Sequence, residues 1–431
     1  MPGKGFSTVS KALAILVVAL SVTSGWAVLA LLFTEVLSAQ TYSVIHNFTD
    51  TPDGAQPDAG LTMDRAGNLY GTTPLGGFAG SQSCPAGCGT VYRLSRTSNG
   101  WTITILHAFG GPRSDGADPF SRVIFGRDGA LYGTTYSGGT GPRGTVFRLS
   151  PPAKSCGNVP CPWEESHYSF PADYLSGAGP IAEVAFDAQG DLYGTTDVGG
   201  PNYCRNVPNS CGVLYKLTTP IQEWNQSVIW DFEESSGNSP YGGITFDASG
   251  NIFGVTTVGG SADLGTFYEM TESAGSWTHT VLYNFTGQSD GAAPDGNLLE
   301  DAEGNLYGTA AAGGSGGGGT VFEFSPSGSG WNFSVLHSFS GTEGPVAGLT
   351  MDANGNLYGT TLHDGSFGYG NVFRLTKSNG YWNYVSLHDF SGGADGWASY
   401  STVLIDAAGN LYGTAALGGA IGGGVVWEIT P

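Results

Sequence analysis

The chain has 431 residues, 72 of them Gly, and a formal net charge of −21 from 15 basic and 36 acidic side chains. Aromatic residues make up 12%, which excludes a disordered chain, and this density of Gly argues against a helical one. No basic patch or stripe occurs, so nucleic acid is not an expected partner.

Residues 1–39 read as a targeting segment. Lys4 and Lys11 precede an uncharged apolar run from Ala12 to Phe33, and Glu35 is the first acid. The layout fits a signal peptide, or a retained N-terminal anchor, because the run approaches the ~20 residues that span a bilayer. Both readings predict a secreted or cell-surface protein. No second hydrophobic span follows, so no membrane contact is expected beyond that anchor.

From residue 40 onward one motif recurs seven times. It first reads GNLYGTT at 67–73 and returns at Gly129, Gly190, Gly250, Gly304, Gly355 and Gly409. The spacings are 62, 61, 60, 54, 51 and 54 residues, a period that marks a propeller or a solenoid. In the first unit four strands are predicted at 60–64, 68–73, 89–94 and 101–109, separated by Gly, Asn, Asp and Ser turns. Four short strands per unit make a propeller blade. We label them A to D. The seventh strand C, VVWEI at 425–429, has no strand D after it. A spare copy stands at the other end, TYSVIHNF at 41–48, and matches the strand D sequences at 103–109 and 333–339. The N-terminal strand is therefore expected to complete the last blade, which leaves no open edge. The predicted fold is all-β: a seven-bladed β-propeller of four antiparallel strands per blade, forming one domain over 40–431.

Three features carry a family resemblance: the GNLYGTT block, the Gly-Gly pair that follows it, and the G-T-V-[YF]-[RKE]-[LF] strand. Together they resemble the Gloeobacter–Verrucomicrobia (GloVer) tandem repeat of the choice-of-anchor family of exported bacterial proteins. The resemblance covers nearly all of the chain after residue 40. It implies a secreted or surface protein and assigns no activity.

Most repeated polar residues have a structural reading. Asp64, Asp187, Asp247, Asp301, Asp352 and Asp406 stand three residues before the motif Gly, where Asp caps a hairpin turn and Gly takes positive φ. Gly126 replaces Asp in the second unit. Tyr70 and its six equivalents are expected to pack between blades. His46, His107, His337 and His388 share one slot on strand D that Trp230 and Tyr283 fill elsewhere, so the slot asks for an aromatic-sized group. Gly313-Gly-Ser315-Gly-Gly317 fits G-x-S-x-G but lies between two strands, without the helix that a nucleophile elbow needs. The six cysteines fall into close pairs: Cys84 with Cys88, Cys156 with Cys161, and Cys204 with Cys211. In an exported chain this pattern predicts three local disulfides rather than zinc sites.

Candidate binding residues lie in loops that break the repeat. His363 and Asp364 replace the Gly-Gly pair of the sixth unit, Phe367 and Tyr369 follow, and Asp395, Trp397 and Tyr400 occupy the next D–A loop. Aromatic rings beside acids suit stacking on sugars. Asp115, Asp118 and Asp290 lie in Asp-Gly loops and are candidate calcium ligands; no other cofactor is expected. The leading expectation is a non-enzymatic exported module that binds an extracellular polymer or protein, such as a polysaccharide. The alternatives are a carbohydrate-active hydrolase or lyase, with Asp364 and Asp395 as its carboxylate pair, and a structural repeat of the cell envelope.

Overall fold

Short apolar strands separated by Gly-rich turns assemble into seven antiparallel sheets. The computed structural model describes residues 40–78, 84–110, 115–152, 162–204, 210–218, 224–328 and 330–431. The targeting segment at 1–39 lies outside the described residues. So do Cys156 and Cys161, and with them the predicted disulfide between Cys156 and Cys161. Blade 1 comprises Thr62–Met63 (strand A), Leu69–Thr73 (B), Thr90–Thr97 (C) and Gly100–Ala108 (D), hydrogen-bonded in that order. In the seventh sheet Leu404–Ile405, Leu411–Ala415 and Val425–Thr430 supply strands A to C. Thr41–Asn47 supplies strand D, from Thr41 opposite Thr430 to Asn47 opposite Val425. The protein is the seven-bladed propeller that its sequence predicts, closed by its N-terminal strand. Among the described residues no helix is long and apolar enough to cross a membrane.

The repeated residues explain the blade. Strand B is buried along its whole length. Its Gly71 is required, because a Cβ there would lie 2.5 Å from the Tyr92 hydroxyl. In the A–B turn Asp64 Oδ1 accepts from the Ala66 and Asn68 amides at 2.8 and 2.9 Å, and Gly67 takes φ +81°. Asp64 Oδ2 accepts from Asn68 Nδ2 and the Tyr70 hydroxyl at 2.7 and 3.0 Å. Asp301, Asp352 and Asp406 repeat all four bonds. In blade 2, where Gly126 stands in the Asp position, Asp128 accepts from the Ala130 amide and from the Tyr132 hydroxyl instead.

Two of the recurring contacts between neighbouring blades come from the repeat motif itself. Tyr70 packs against Phe125 and Trp163 of the next blade, with centroids at 5.2 and 6.4 Å. Across the closure Trp101 meets Tyr412 at 6.1 Å. The second contact uses the first Thr of the repeated Thr-Thr pair. Thr72 Oγ1 donates to the Ser121 carbonyl at 2.9 Å, and Thr134, Thr195, Thr309 and Thr360 do the same to the blade that follows each. Thr414 closes the circle by donating to the Ala59 carbonyl at 2.9 Å. In blade 4 this position is Val255.

Two stability outcomes are expected. Thr414→Val is isosteric but strips a buried carbonyl of its donor, so it should cost about 1–3 kcal/mol as read from the denaturation midpoint. An unchanged midpoint would show that the bond carries no weight. The hydroxyls of Tyr92, Tyr215 and Tyr268 are buried without a hydrogen-bond partner among the described residues, while blades 2, 5 and 6 carry Phe147, Phe322 and Phe373 at the same place. Phe substitutions at the three tyrosines should be neutral or stabilise by up to about 1 kcal/mol each. A clear loss of stability would contradict this.

Candidate functional site

In an antiparallel blade the D–A and B–C loops emerge on the same face. Here they are tied together by bridges such as Ala55–Leu75, Ala117–Ser137 and Trp397–Leu417. Two of the three predicted disulfides, Cys84–Cys88 and Cys204–Cys211, are formed in B–C loops on this face, and they suit an oxidising compartment. The third, Cys156 with Cys161, falls outside the described residues. Among the described residues thirteen large apolar side chains are exposed, and nine of them stand in D–A or B–C loops.

The Asp-Gly carboxylates of the D–A loops close their own loops. His46 pairs with Asp53 at 2.9 Å, His107 with Asp115 at 2.6 Å and His388 with Asp395 at 3.1 Å. Tyr283 donates to Asp290 at 3.1 Å, and the Thr286 amide and hydroxyl add bonds at 2.8 and 2.6 Å. The slot on strand D thus supplies a loop-closing partner seven or eight residues ahead of the Asp, a fixed spacing visible in the sequence. Burial pushes the Asp395 carboxyl up, but bonds from Ser391 and His388 outweigh it and hold the group below the usual carboxylate range. Asp118 accepts instead from Ser137 Oγ at 2.7 Å. The three candidate calcium ligands sit on separate partners. Among the described residues no group of three or more His, Cys, Asp or Glu is placed to hold a metal ion.

The sixth-blade residues divide among three places. Tyr369 and Trp397 meet edge to face at 5.7 Å, and Trp397 packs on Leu362, Ala398 and Ala416. Phe367 remains 63% exposed. His363 faces Glu343 at 3.5 Å. Asp364 lines a cleft with His337, Tyr384 and Asp389, whereas Asp395 turns to His388 and Ser391. The two carboxylates of the expected catalytic pair therefore share no partner. Tyr400 stands apart from both, at the mouth of the central channel.

That mouth is a cavity of about 480 Å³, built from the residues that lead into strand A of each blade. The residue two before the start of that strand is Arg122 in blade 2, Glu183 in blade 3, Asn297 in blade 5 and Thr402 in blade 7, against Gly60, Gly243 and Gly348 in blades 1, 4 and 6. Gly60 leaves the room that Arg122 takes, since a Cβ there would lie 3.3 Å from Arg122 Cδ. Arg122 holds Glu183 at two points, Nε to Oε2 at 2.6 Å and Nη2 to Oε1 at 2.9 Å. Nearer the loops stand Asp58, Phe120, Tyr241, Asp295 and Tyr400. Burial pushes the Asp58 carboxyl up to about 7. Burial also raises Asp295, to about 6; a bond from Thr257 opposes this, and the charges of Glu343 and Asp197 add to it. Of this group sequence reasoning named only Tyr400. The group's signal is the break in repeat just before strand A, the same kind of break that singled out the sixth blade.

The Gloeobacter/Verrucomicrobia repeat model matches residues 23–207, 204–386 and 329–431. No curated protein matches the chain. Similar solved structures include a candidate 6-phosphogluconolactonase from Bacteroides uniformis, 13% identical, with a TM-score of 0.46 over 76% of this chain and 83% of that one. A protein of unknown function from Dyadobacter fermentans is 10% identical, with a TM-score of 0.46 over 91% and 99%. A luciferin-regenerating enzyme is 12% identical, with a TM-score of 0.42 over 91% and 95%.

The channel carboxylates set a pH dependence. A carboxyl raised above its unfolded value of about 3.9 stabilises the fold fully below that value and loses this contribution as pH rises through the folded value. Asp58 and Asp295 therefore weaken the fold between about pH 4 and 7. The turn carboxylates Asp64, Asp301, Asp352 and Asp406 are partly desolvated, yet bonds from the turn hold them low. Their contribution persists above about pH 4 and is lost as pH falls through their folded values. Asp58→Asn should raise Tm by about 1–3 °C at pH 8 and leave it unchanged at pH 4, as scanning calorimetry would read. Equal effects at both values would sink the assignment.

Proposed function

This chain belongs to the Gloeobacter/Verrucomicrobia repeat family, and from that premise we propose that it is an exported propeller that binds an extracellular polysaccharide. The ligand is taken up on the face formed by the D–A and B–C loops. One observation carries the reading: nine of the thirteen exposed large apolar side chains among the described residues collect on that face, and Tyr241 and Tyr400 reach the channel mouth itself. Sugar rings present apolar faces to aromatic side chains, while their hydroxyls bond to polar groups. Asn297 and Thr402 supply such groups in the same cavity. Export is supported by the disulfides on this face and by the leader-like composition of residues 1–39.

The test is a glycan-array measurement on the full chain. Binding to a defined polysaccharide is expected, weakened at least about tenfold in Tyr400→Ala, as befits loss of a central aromatic contact. Tyr381→Ala, at the start of the blade 6 strand D Tyr381–Asp389 and outside the loop face, should bind as the parent does. A chelator should leave binding unchanged, because Asp115 and Asp290 already have partners. A blank array, or equal losses in both variants, would dismiss the reading.

A further inference from the structure

The channel mouth holds more negative charge than it balances. Asp58 and Asp295 line it from blades 1 and 5. Asp295 accepts a hydrogen bond from Thr257 Oγ1 at 3.0 Å. Asp58 accepts none from the described residues. Arg122 is the one cation among the described residues that line the cavity, and its two bonds to Glu183 leave that pair neutral. Both aspartates thus face the cavity without a counter-charge. Aromatic rings surround them: Tyr241 is 38% exposed, Tyr400 is 46% exposed, and Phe120 lines the same wall. Asp58 lies close enough to Tyr400 for its charge to act on the phenol.

Uncompensated carboxylates in a partly desolvated site favour a ligand that brings positive charge. Aromatic rings beside them favour an organic cation, whose charge is attracted to the ring face. A metal ion fits less well. The cavity is far larger than one ion, and the described residues hold no cluster of three metal-ligating groups.

We propose that the channel mouth recognises a primary ammonium group, and that the polysaccharide it takes up carries free amino groups on its sugar rings. This rests on the polysaccharide reading above. Ammonium groups of the glycan pair with Asp58 and with Asp295, each close enough to Tyr400 for its charge to act on the phenol, and a pyranose ring lies against Tyr400 or Tyr241. Acetylation of the amine removes its charge and therefore the preference.

The test compares two ligands that differ in that charge. Full-length protein is titrated calorimetrically at pH 7 with a β-1,4-linked glucosamine tetramer and with its N-acetylated counterpart. The free-amine tetramer should bind at least about tenfold more tightly, the scale of one charge-assisted contact. Asp58→Asn should abolish that preference without weakening the N-acetylated ligand. Asp295→Asn, which retains an oxygen for Thr257, should reduce it in the same way. Equal binding of the two tetramers, or an unchanged preference in both variants, overturns the ammonium assignment and leaves the polysaccharide reading standing. Trilysine binding as tightly as the glucosamine tetramer overturns the sugar assignment. Failure of both tetramers, with a blank glycan array, removes the polysaccharide reading and this inference with it.

Discussion

A buried threonine hydroxyl that reaches from one blade to the next is the contact on which the ring depends. Strand pairing stays within each sheet, so no continuous ladder runs around the molecule; the backbone links from blade to blade are single loop bonds, such as Asp118 N to the Cys88 carbonyl at 3.1 Å and Gln56 N to the Gly423 carbonyl at 2.9 Å. Side chains supply the rest of the cohesion between blades. The Thr bonds from Thr72, Thr134, Thr195, Thr309 and Thr360 are buried, where a missing partner is costly. The bond from Thr414 to Ala59 spans 355 positions of sequence. Loop closure over that length costs little more than over a short one, because the entropy grows only logarithmically. Once Thr41–Asn47 has paired with Val425–Thr430, every blade has two neighbours and the ring has no open end.

The repeated carboxylates serve this scaffold. In the A–B turns of blades 1, 5, 6 and 7 one Asp accepts four hydrogen bonds, and blade 2 keeps part of that set by moving the acid from position 126 to Asp128. In the D–A loops a second series of Asp residues is bound by His or Tyr from strand D. Asp58 belongs to neither series. Asp295 has one donor where a turn Asp has four. Asp58 and Asp295 thus have fewer donors than the Asp of a complete A–B turn, and repetition in sequence tracks the turn series.

The architecture was legible because its signals are local: a period, four strands per period, and a spare strand at the N-terminus. The site was legible only in part. Breaks in the repeat pointed to Trp397, Asp395 and Tyr400, yet a break does not say where a side chain goes. Trp397 turned into an apolar cluster, Asp395 turned back to its own loop, and Tyr400 reached the axis. The pairing of His46 with Asp53, His107 with Asp115 and His388 with Asp395 could have been read from spacing, since the slot and the acid recur together. The channel group could not be assembled that way. Asp58 and Asp295 belong to blades far apart in the chain, and they meet one cavity only because the ring closes.

Closure also explains why the candidate site lies at the axis. Strand A is the innermost strand of every blade, and the residues leading into it converge on one cavity. A residue there meets neighbours from several blades, so one substitution alters a site shared by all of them. Packing constrains the positions on either side: Ala59 and Leu61 are buried, as are Ser121 and Val123. The axial positions between and before them are free of that constraint, and there the blades diverge into Gly, Arg, Glu, Asn and Thr. The Arg122–Glu183 pair cancels its own charge. The field in the mouth is then set by Asp58 and Asp295, and low-dielectric walls with few cations concentrate it toward whatever enters.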